Sequence, residues 1–293
     1  MGLIKEKLDK LNELILRNTE DQDAVLSPQK NFAVMRETAY HKRKPNLYTP
    51  LIIMVSQGKK VCYVGNQSYE YGPGDLFVML LPIPVETEIV DASPEEPFLA
   101  AGAIVDLPRI SNVLMKIENA ENSVQQPTTL DASSIFSTRA KENQIDAFIR
   151  LVETFKNPTE AAVLSESIID EIYYRLLVDE RGGELRNLLQ QRGEIQRISK
   201  AVEHIHQNLD QQISIEDLAS LVHMSRSAFF DNFKDVMHLP PLQYAKSIKL
   251  HRAQTLLLDG MKVNEAAYQV GYNSQAQFSR EYKRHFGFSP SMT

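Results

Sequence analysis

Ala266-Ala267-Tyr268-Gln269-Val270-Gly271-Tyr272-Asn273-Ser274-Gln275-Ala276-Gln277-Phe278-Ser279-Arg280-Glu281-Tyr282-Lys283 decides how this chain is read, because the pattern it carries occurs twice. Val263, Ala266, Ala267 and Val270 stand at i, i+3, i+4 and i+7, and Ile215, Leu218, Ala219 and Val222 set out the same pattern 48 positions earlier. That spacing builds one apolar helix face, twice. A short turn follows each face, His223-Met224 in the first copy and Gly271-Tyr272-Asn273 in the second. Then come a serine and two aromatics four apart before a lysine: Phe229 and Phe233 before Lys234, Phe278 and Tyr282 before Lys283. A single helix, turn and helix occurs in many folds, but two copies at fixed spacing point to a domain with two DNA-reading helices.

The aromatic stripe commits one side of each second helix to packing and leaves the other sides free. Ser225 and Ser274 are placed to cap these helices, since a serine hydroxyl accepts from a backbone N–H of the first turn. The first-turn side chains then protrude at the end that such helices push into the major groove. They are Arg226, Ser227, Phe230 and Asp231 in the first copy, and Gln275, Ala276, Gln277, Ser279 and Arg280 in the second. Glutamine pairs bidentately with adenine, arginine with guanine, and a small apolar group meets the thymine methyl. The second helix is therefore the better equipped for base readout. Asp231 and Phe230 suit cytosine and apolar contacts, and Lys234, Lys283 and Arg284 suit phosphates.

From about Gln196 to Met292 the chain resembles the DNA-binding domain of AraC/XylS-type transcription regulators. The resemblance is carried by Ala266 to Tyr272, by Gln277 through Arg284, and by Phe286-Gly287-Phe288-Ser289-Pro290. Tyr272 and Tyr282 stand where phenylalanine is commoner in the family. The resemblance implies seven helices, with a linker helix over 242–258 that spans about 25 Å at 1.5 Å per residue. The family usually continues a few residues beyond Pro290, so a short last helix is expected. Double-stranded promoter DNA and RNA polymerase are the partners it implies, with activation the commoner outcome, in a bacterial, cytoplasmic setting.

The net charge of −6 is unevenly divided. From Glu194 onward Lys and Arg number 11 and Asp and Glu 10, a net of +1, which leaves −7 on the rest. Such a modest positive footprint predicts weak nonspecific binding and reliance on specific contacts or on dimerisation. The length of 293 residues fits two domains, the lone Cys62 excludes an intrachain disulfide, and neither a signal peptide nor a membrane-spanning run is present.

The preceding part reads as β-rich from about 30 to 107. Apolar runs at 51–56 and 61–64, a Gly65-Asn66 turn, and Tyr71-Gly72-Pro73-Gly74-Asp75 leading into the run 76–81 suggest a small barrel or sandwich. The Gly-Pro-Gly-Asp turn resembles that of the cupin-like jelly roll. Tyr69-Glu70-Tyr71, the stretch Asp91 to Leu99, and Glu171-Ile172-Tyr173-Tyr174-Arg175-Leu176-Leu177 are similar to the AraC_N type of regulatory domain. Two helices follow, 138–155 with Ile145, Phe148, Ile149 and Val152 on one face, and 159–178 with Leu164, Ile168, Glu171, Ile172 and Leu176. These faces pack on the barrel, on each other, or across the two-fold of a homodimer, which the resemblance favours. An opening helix over 3–16 presents Leu3, Ile4, Leu8, Leu11 and Ile15 to the same domain.

The expected organisation is α+β in two domains. Residues 1–185 form a cupin-like β-barrel with flanking helices for regulation and dimerisation, 186–195 a linker, and 196–293 the DNA-binding domain. An enzymatic cupin is disfavoured, since metal-dependent cupins need clustered histidines and His41 is the only one before His204. No catalytic residue, metal or cofactor is expected. A small-molecule effector at the barrel would meet alternate strand residues such as Met54, Cys62, Phe77 and Met79, with buried core the competing reading. Cys62 has only Lys59 and Lys60 as basic neighbours, which favours an inert thiol over a sensor. The alternative from another class is a non-catalytic cupin-like binding module whose helical domain serves protein interaction.

Overall fold

The structure, a computed structural model, describes residues 2–20, 22–121, 134–179, 182, 185, 186, 189 and 194–293. It is an α+β arrangement with a β-rich N-terminal part and an all-helical C-terminal part. The strands are β1 (Ala24–Leu26), β2 (Phe32–Glu37), β3 (His41–Tyr48), β4 (Leu51–Gln57), β5 (Lys59–Val64), β6 (Gln67–Tyr71), β7 (Asp75–Met79), β8 (Ile83–Asp91), β9 (Phe98–Ile104) and β10 (Ile135–Arg139). They pair antiparallel in two sheets, one in the order β1-β2-β9-β4-β7-β10 and the other β3-β8-β5-β6. This is the double-sheet form of the expected cupin-like domain.

Helix α1 (Gly2–Thr19) closes the outer side of the larger sheet by packing on β2, β4 and β9. That cover explains why Ile52 to Ser56 of β4 are buried at every position, the uninterrupted apolar pattern of a strand covered on both faces. Leu8, Leu11, Leu14 and Ile15 do the packing, whereas Leu3, expected on this stripe, is 53% exposed at the helix start. The Gly65-Asn66 turn joins β5 to β6 by a two-residue loop, Val64 pairing with Gln67. The turn before β7 is closed by a Gly72 N–H bond to the Asp75 carboxylate at 2.9 Å.

Two features differ from the expected bounds. Strand β10 occupies 135–139, where Ile135 pairs with Met79 and Arg139 with Asp75, so it satisfies the otherwise open edge of β7 and delays the next helix. Helix α2 (Leu107–Glu121), which the sequence reading leaves undefined, buries Ile110, Val113, Leu114 and Ile117. Next come α3 (Glu142–Glu153) and α4 (Pro158–Leu177), packed on each other, with Asn157 capping α4 through bonds from the N–H groups of Thr159 and Glu160. Along α4 the buried side is Ser165, Ile168, Ile172, Tyr173 and Leu176; Leu164, expected on it, is exposed together with Val163, Tyr174 and Val178. Most of the expected linker over 186–195 lies outside the described residues.

The C-terminal part comprises α5 (Glu194–Gln207), α6 (Ile215–Leu221), α7 (Arg226–Met237), α8 (Pro241–Leu258), α9 (Val263–Gln269) and α10 (Gln275–Phe286). A 3-10 turn, Pro290–Met292, stands in place of the implied seventh helix. Linker helix α8 is shared between two apolar cores. Its first half, with Tyr244, Ala245 and Ile248, belongs to a core that includes α5 to α7 and runs on into the β domain. Its second half, with Leu250, Ala253 and Leu256, belongs to a separate core with Ala266, Ala267, Val270, Phe278 and Tyr282.

The two parts meet along α8 and the C-terminal end of α7, and α10 also packs against β3. The Tyr244 hydroxyl donates to the Pro82 carbonyl at 2.8 Å and lies 2.8 Å from His206 Nε2. A hydroxyl has one hydrogen to give, so Nε2 of His206 must be the donor in the second bond. Ser134 Oγ donates to the Val236 carbonyl. Gly65, at φ +57°, comes so close that a Cβ there would lie 2.7 Å from the His238 carbonyl oxygen. Only glycine satisfies both the turn and that approach.

Candidate DNA-reading surface

Each candidate reading helix is preceded by a packing helix whose expected face is buried: Leu218, Ala219 and Val222 in the first unit, Ala266, Ala267 and Val270 in the second. Each then turns through one residue in the left-handed region, His223 at φ +56° and Gly271 at φ +78°, which stand 48 apart. The register then changes by one. Ser225 and Ser274 are 49 apart, as are α7 and α10 throughout, so the second turn holds one residue more. Both serines are caps: Ser225 accepts from the Ala228 N–H and Ser274 from the Gln277 N–H, each at 3.3 Å. Satisfying a first-turn N–H in this way fixes where each helix starts. Both helices also end on a left-handed residue, His238 and Gly287.

The packing side is aromatic in both. Phe229, Phe233, Phe278 and Tyr282 are fully buried. Phe233 meets Tyr244 of α8 edge-on at 5.5 Å, and Tyr282 donates or accepts a 2.7 Å bond with Thr293 Oγ1. With these rings inward, Arg226, Ser227, Asp231, Lys234, Gln275, Ala276, Gln277, Arg280 and Lys283 are all exposed, while Phe230 and Ser279 are half-buried. Gln277, Arg280, Glu281 and Arg284 line one shallow concavity along α10, as their i, i+3, i+4, i+7 spacing requires. Arg226 is held 2.9 Å from Glu216 of α6 by an exposed ion pair, worth at most ~1 kcal/mol and readily given up to another acceptor.

Sequence reasoning missed the residues behind this surface. Glu281 accepts from Lys246 Nζ at 2.8 Å, from the Tyr272 hydroxyl at 3.0 Å and from Gln277 Nε2 at 3.3 Å. Partial burial would raise its carboxyl pKa, but the bonds from Lys246, Gln277 and Tyr272 outweigh it and hold the group below its ordinary range. The available signal was the tyrosine at 272 in place of the commoner phenylalanine. Between the two units a groove of about 380 Å³ is lined by Gln212, Lys246, Lys249, Tyr272 and Gln277 among others.

Of the four residues named for an effector, Phe77, Met79 and Cys62 face the space between the two sheets and Met54 does not. Phe77 stacks on Tyr71 of the opposite sheet at 4.4 Å, so its side of β7 looks between the sheets, and Met79 shares that side by alternation. Met54 is directly opposite Leu76 and therefore on the other side, toward α1. Cys62 pairs with Tyr69 and Thr87 and alternates with Lys60, whose partner Tyr71 meets Phe77, so it too lies between the sheets. Lys60 is nearly fully buried and pairs with Glu37 at 2.9 Å. Burial pushes the Cys62 thiol up to about 12 in spite of Lys60, which leaves it protonated and unreactive at neutral pH.

The comparisons with known proteins agree with these two parts. A model described as AraC-type transcriptional regulator N-terminus matches residues 28–184, more than half of the chain, and a helix-turn-helix domain model matches 218–293. The probable transcriptional regulator LumQ of Photobacterium leiognathi is 27% identical over 165 residues, covering 54% of this chain and 62% of LumQ. The lactose operon transcription activator of Staphylococcus xylosus is 32% identical over 95 residues, 32% of this chain and 34% of the activator. Both matches thus span less than two thirds of the relative's length. Among solved structures, unsaturated fatty acid-bound ToxT from Vibrio cholerae superposes with a TM-score of 0.58 at 14% identity, covering 89% of this chain and 92% of ToxT. That likeness concerns the fold. No helix among the described residues is long and apolar enough to cross a membrane.

Proposed function

The chain belongs to the AraC-type transcriptional regulators, and on that premise we propose that it binds double-stranded promoter DNA with α7 and α10 in two successive major-groove segments. The observation that carries this reading is the duplicated surface itself: two serine-capped helices, each with its aromatic side buried and its first turn exposed. Arg226, Ser227, Phe230 and Asp231 would read the first segment and Gln275, Ala276, Gln277, Ser279 and Arg280 the second, with Lys234 and Lys283 on phosphates. Linker helix α8, 18 residues and so about 27 Å long, is a strut of the right order to hold two readers one helical turn of DNA apart.

In this reading residues 196–293 form the DNA-binding domain, and 1–185 supply regulation and dimerisation. The protein acts as an activator that contacts RNA polymerase and carries out no catalysis; the Staphylococcus relative is named an activator. A homodimer formed through the N-terminal helices fits the exposed Val163, Leu164 and Tyr174 on α4 and Val178 just after it. Control by a small molecule at the N-terminal domain is in keeping with ToxT, structures of which hold an unsaturated fatty acid or a methylnaphthalenyl butenoic acid. Such an effector must bind one arrangement of the two domains better than another, since equal affinity shifts nothing.

Selection of bound fragments from a random DNA pool by the purified chain tests the core of this reading, followed by gel shifts at two salt concentrations. The expected result is a motif of two elements about one helical turn, 10 to 10.5 base pairs, apart. Failure of both the full chain and the fragment 196–293 to enrich any sequence would favour the protein-interaction alternative.

A further inference from the structure

Glu281 stands one helical turn beyond Gln277 on α10, and both its oxygens are engaged. Oε2 accepts from Lys246 of the linker helix and Tyr272 of the turn; Oε1 accepts from the Gln277 amide. A carboxylate has no hydrogen to donate, so the end of the Gln277 amide that faces it must be the nitrogen. The amide oxygen is thereby turned away from Glu281, with one N–H left over. A free glutamine can rotate its amide by half a turn and exchange donor for acceptor. A glutamine held in this way cannot, because the rotation would set its carbonyl oxygen against the carboxylate.

We infer that Glu281 is a specificity-determining positioning residue: by fixing the Gln277 amide it makes the base opposite Gln277 one that offers an exocyclic amino group in the major groove, adenine first and cytosine second. This rests on the proposed entry of α10 into that groove. Adenine N6 and cytosine N4 are donors there, whereas guanine and thymine present acceptors. Adenine also places N7 within reach of the remaining N–H, so it alone satisfies both groups. Lys246 has a second part in the arrangement, since it neutralises a carboxylate that would otherwise stand against the phosphates. Tyr272 fixes the carboxylate from the side of the turn, a bond that the commoner phenylalanine could not make.

The test is base preference at one position, which a merely structural role would not move. The bound motif of the full chain is selected and compared with those of Gln277→Ala, Glu281→Ala and Glu281→Gln, each checked for folding by thermal unfolding. The unaltered chain prefers an amino-bearing base at one position by about ten-fold, the scale of one good bidentate pair. Gln277→Ala removes that preference, and Glu281→Ala reduces it while the rest of the motif stays. In Glu281→Gln the new oxygen remains with Lys246 and Tyr272, its amide nitrogen faces Gln277, and Gln277 must flip. The preference then moves toward guanine or thymine. Should Glu281→Ala fail to fold, this isosteric variant carries the test alone. If Gln277→Ala erases the preference and both Glu281 variants keep that of the unaltered chain, the inference is overturned. If Gln277→Ala changes nothing, or no motif is selected at all, the placement of α10 falls and the inference falls with it.

Discussion

Gly271 is seated on Asp210: a Cβ at position 271 would lie 2.6 Å from the Asp210 carbonyl oxygen, so the turn of the second unit rests on the backbone that follows α5. The same contact reaches the Leu209 carbonyl at 3.0 Å, and Lys249 reinforces it by donating to the Gln211 carbonyl at 3.0 Å. The spacing of the two helix-turn-helix units is thus set by a backbone contact as well as by α8. Gly271→Ala would meet both the left-handed φ and the carbonyl, and is expected to cost about 1 to 3 kcal/mol of stability. His223→Gly, at the matching position of the open first turn, is expected not to destabilise. Thermal unfolding of the two variants checks the contrast, and equal behaviour would remove the contact from the account.

Arg280→Ala and Gln277→Ala should each weaken specific binding by about 1 to 3 kcal/mol and relax the sequence requirement of the second element. Lys283→Ala should instead weaken binding to all sequences and flatten the salt dependence by about one unit of slope. Gel shifts on the selected site and on a scrambled one distinguish the two patterns. Unchanged specific affinity in both Arg280→Ala and Gln277→Ala would rule out α10 as the base reader.

Tyr244→Phe removes one hydroxyl that joins three elements. The Pro82 carbonyl and the His206 N–H would both lose their partner in a partly buried interface, at a cost of about 1 kcal/mol. Chemical denaturation should show this loss in the full chain. An unchanged midpoint would mean that water replaces the hydroxyl.

His251 lies 3.3 Å from His285, Nε2 to Nε2, between α8 and the end of α10. Burial, and next the neighbouring His285, lower the His251 pKa to about 4. The unfolded chain therefore binds the proton first as pH falls from about 6.5. Stability conferred by the neutral imidazole is present above that pH and is lost progressively down to about 4, by about 3 kcal/mol in all. His285, also lowered by burial and facing Glu86 and Lys246, adds in the same direction. Unfolding curves at pH 7 and pH 5 should differ more for the unaltered chain than for His251→Gln.

Much of the fold could be read from residue spacing, and the reasons for the exceptions are local. The apolar periodicity of 215–222 and 263–270, the serine caps and the aromatic pairs each depend on neighbours within one or two turns, and all are found as expected. Strand β10 depends on the open edge of β7 more than fifty residues away, which no local pattern announces. Leu3 and Leu164 have the right period yet lie outside the packed contact, because periodicity gives a face and not its limits. The same limit applies to Met54, since one residue of register decides which side of β4 it takes. Gln277 could be named from the sequence as a candidate reader, but Glu281 could not be named as its proposed guide, since that role needs Lys246 and Tyr272 brought in from other elements.

The division of the apolar core along α8 gives the molecule unequal halves. The first helix-turn-helix unit shares its core with the N-terminal part and is expected to unfold with it, whereas α9 and α10 pack on the second half of α8 in a smaller core of their own and are expected to open first. Amide hydrogens in α9 and α10 should therefore exchange ahead of those in α7. On the proposed reading, an operator would tolerate drift in its second element, by sequence or by small changes of spacing, while the anchored half keeps its address.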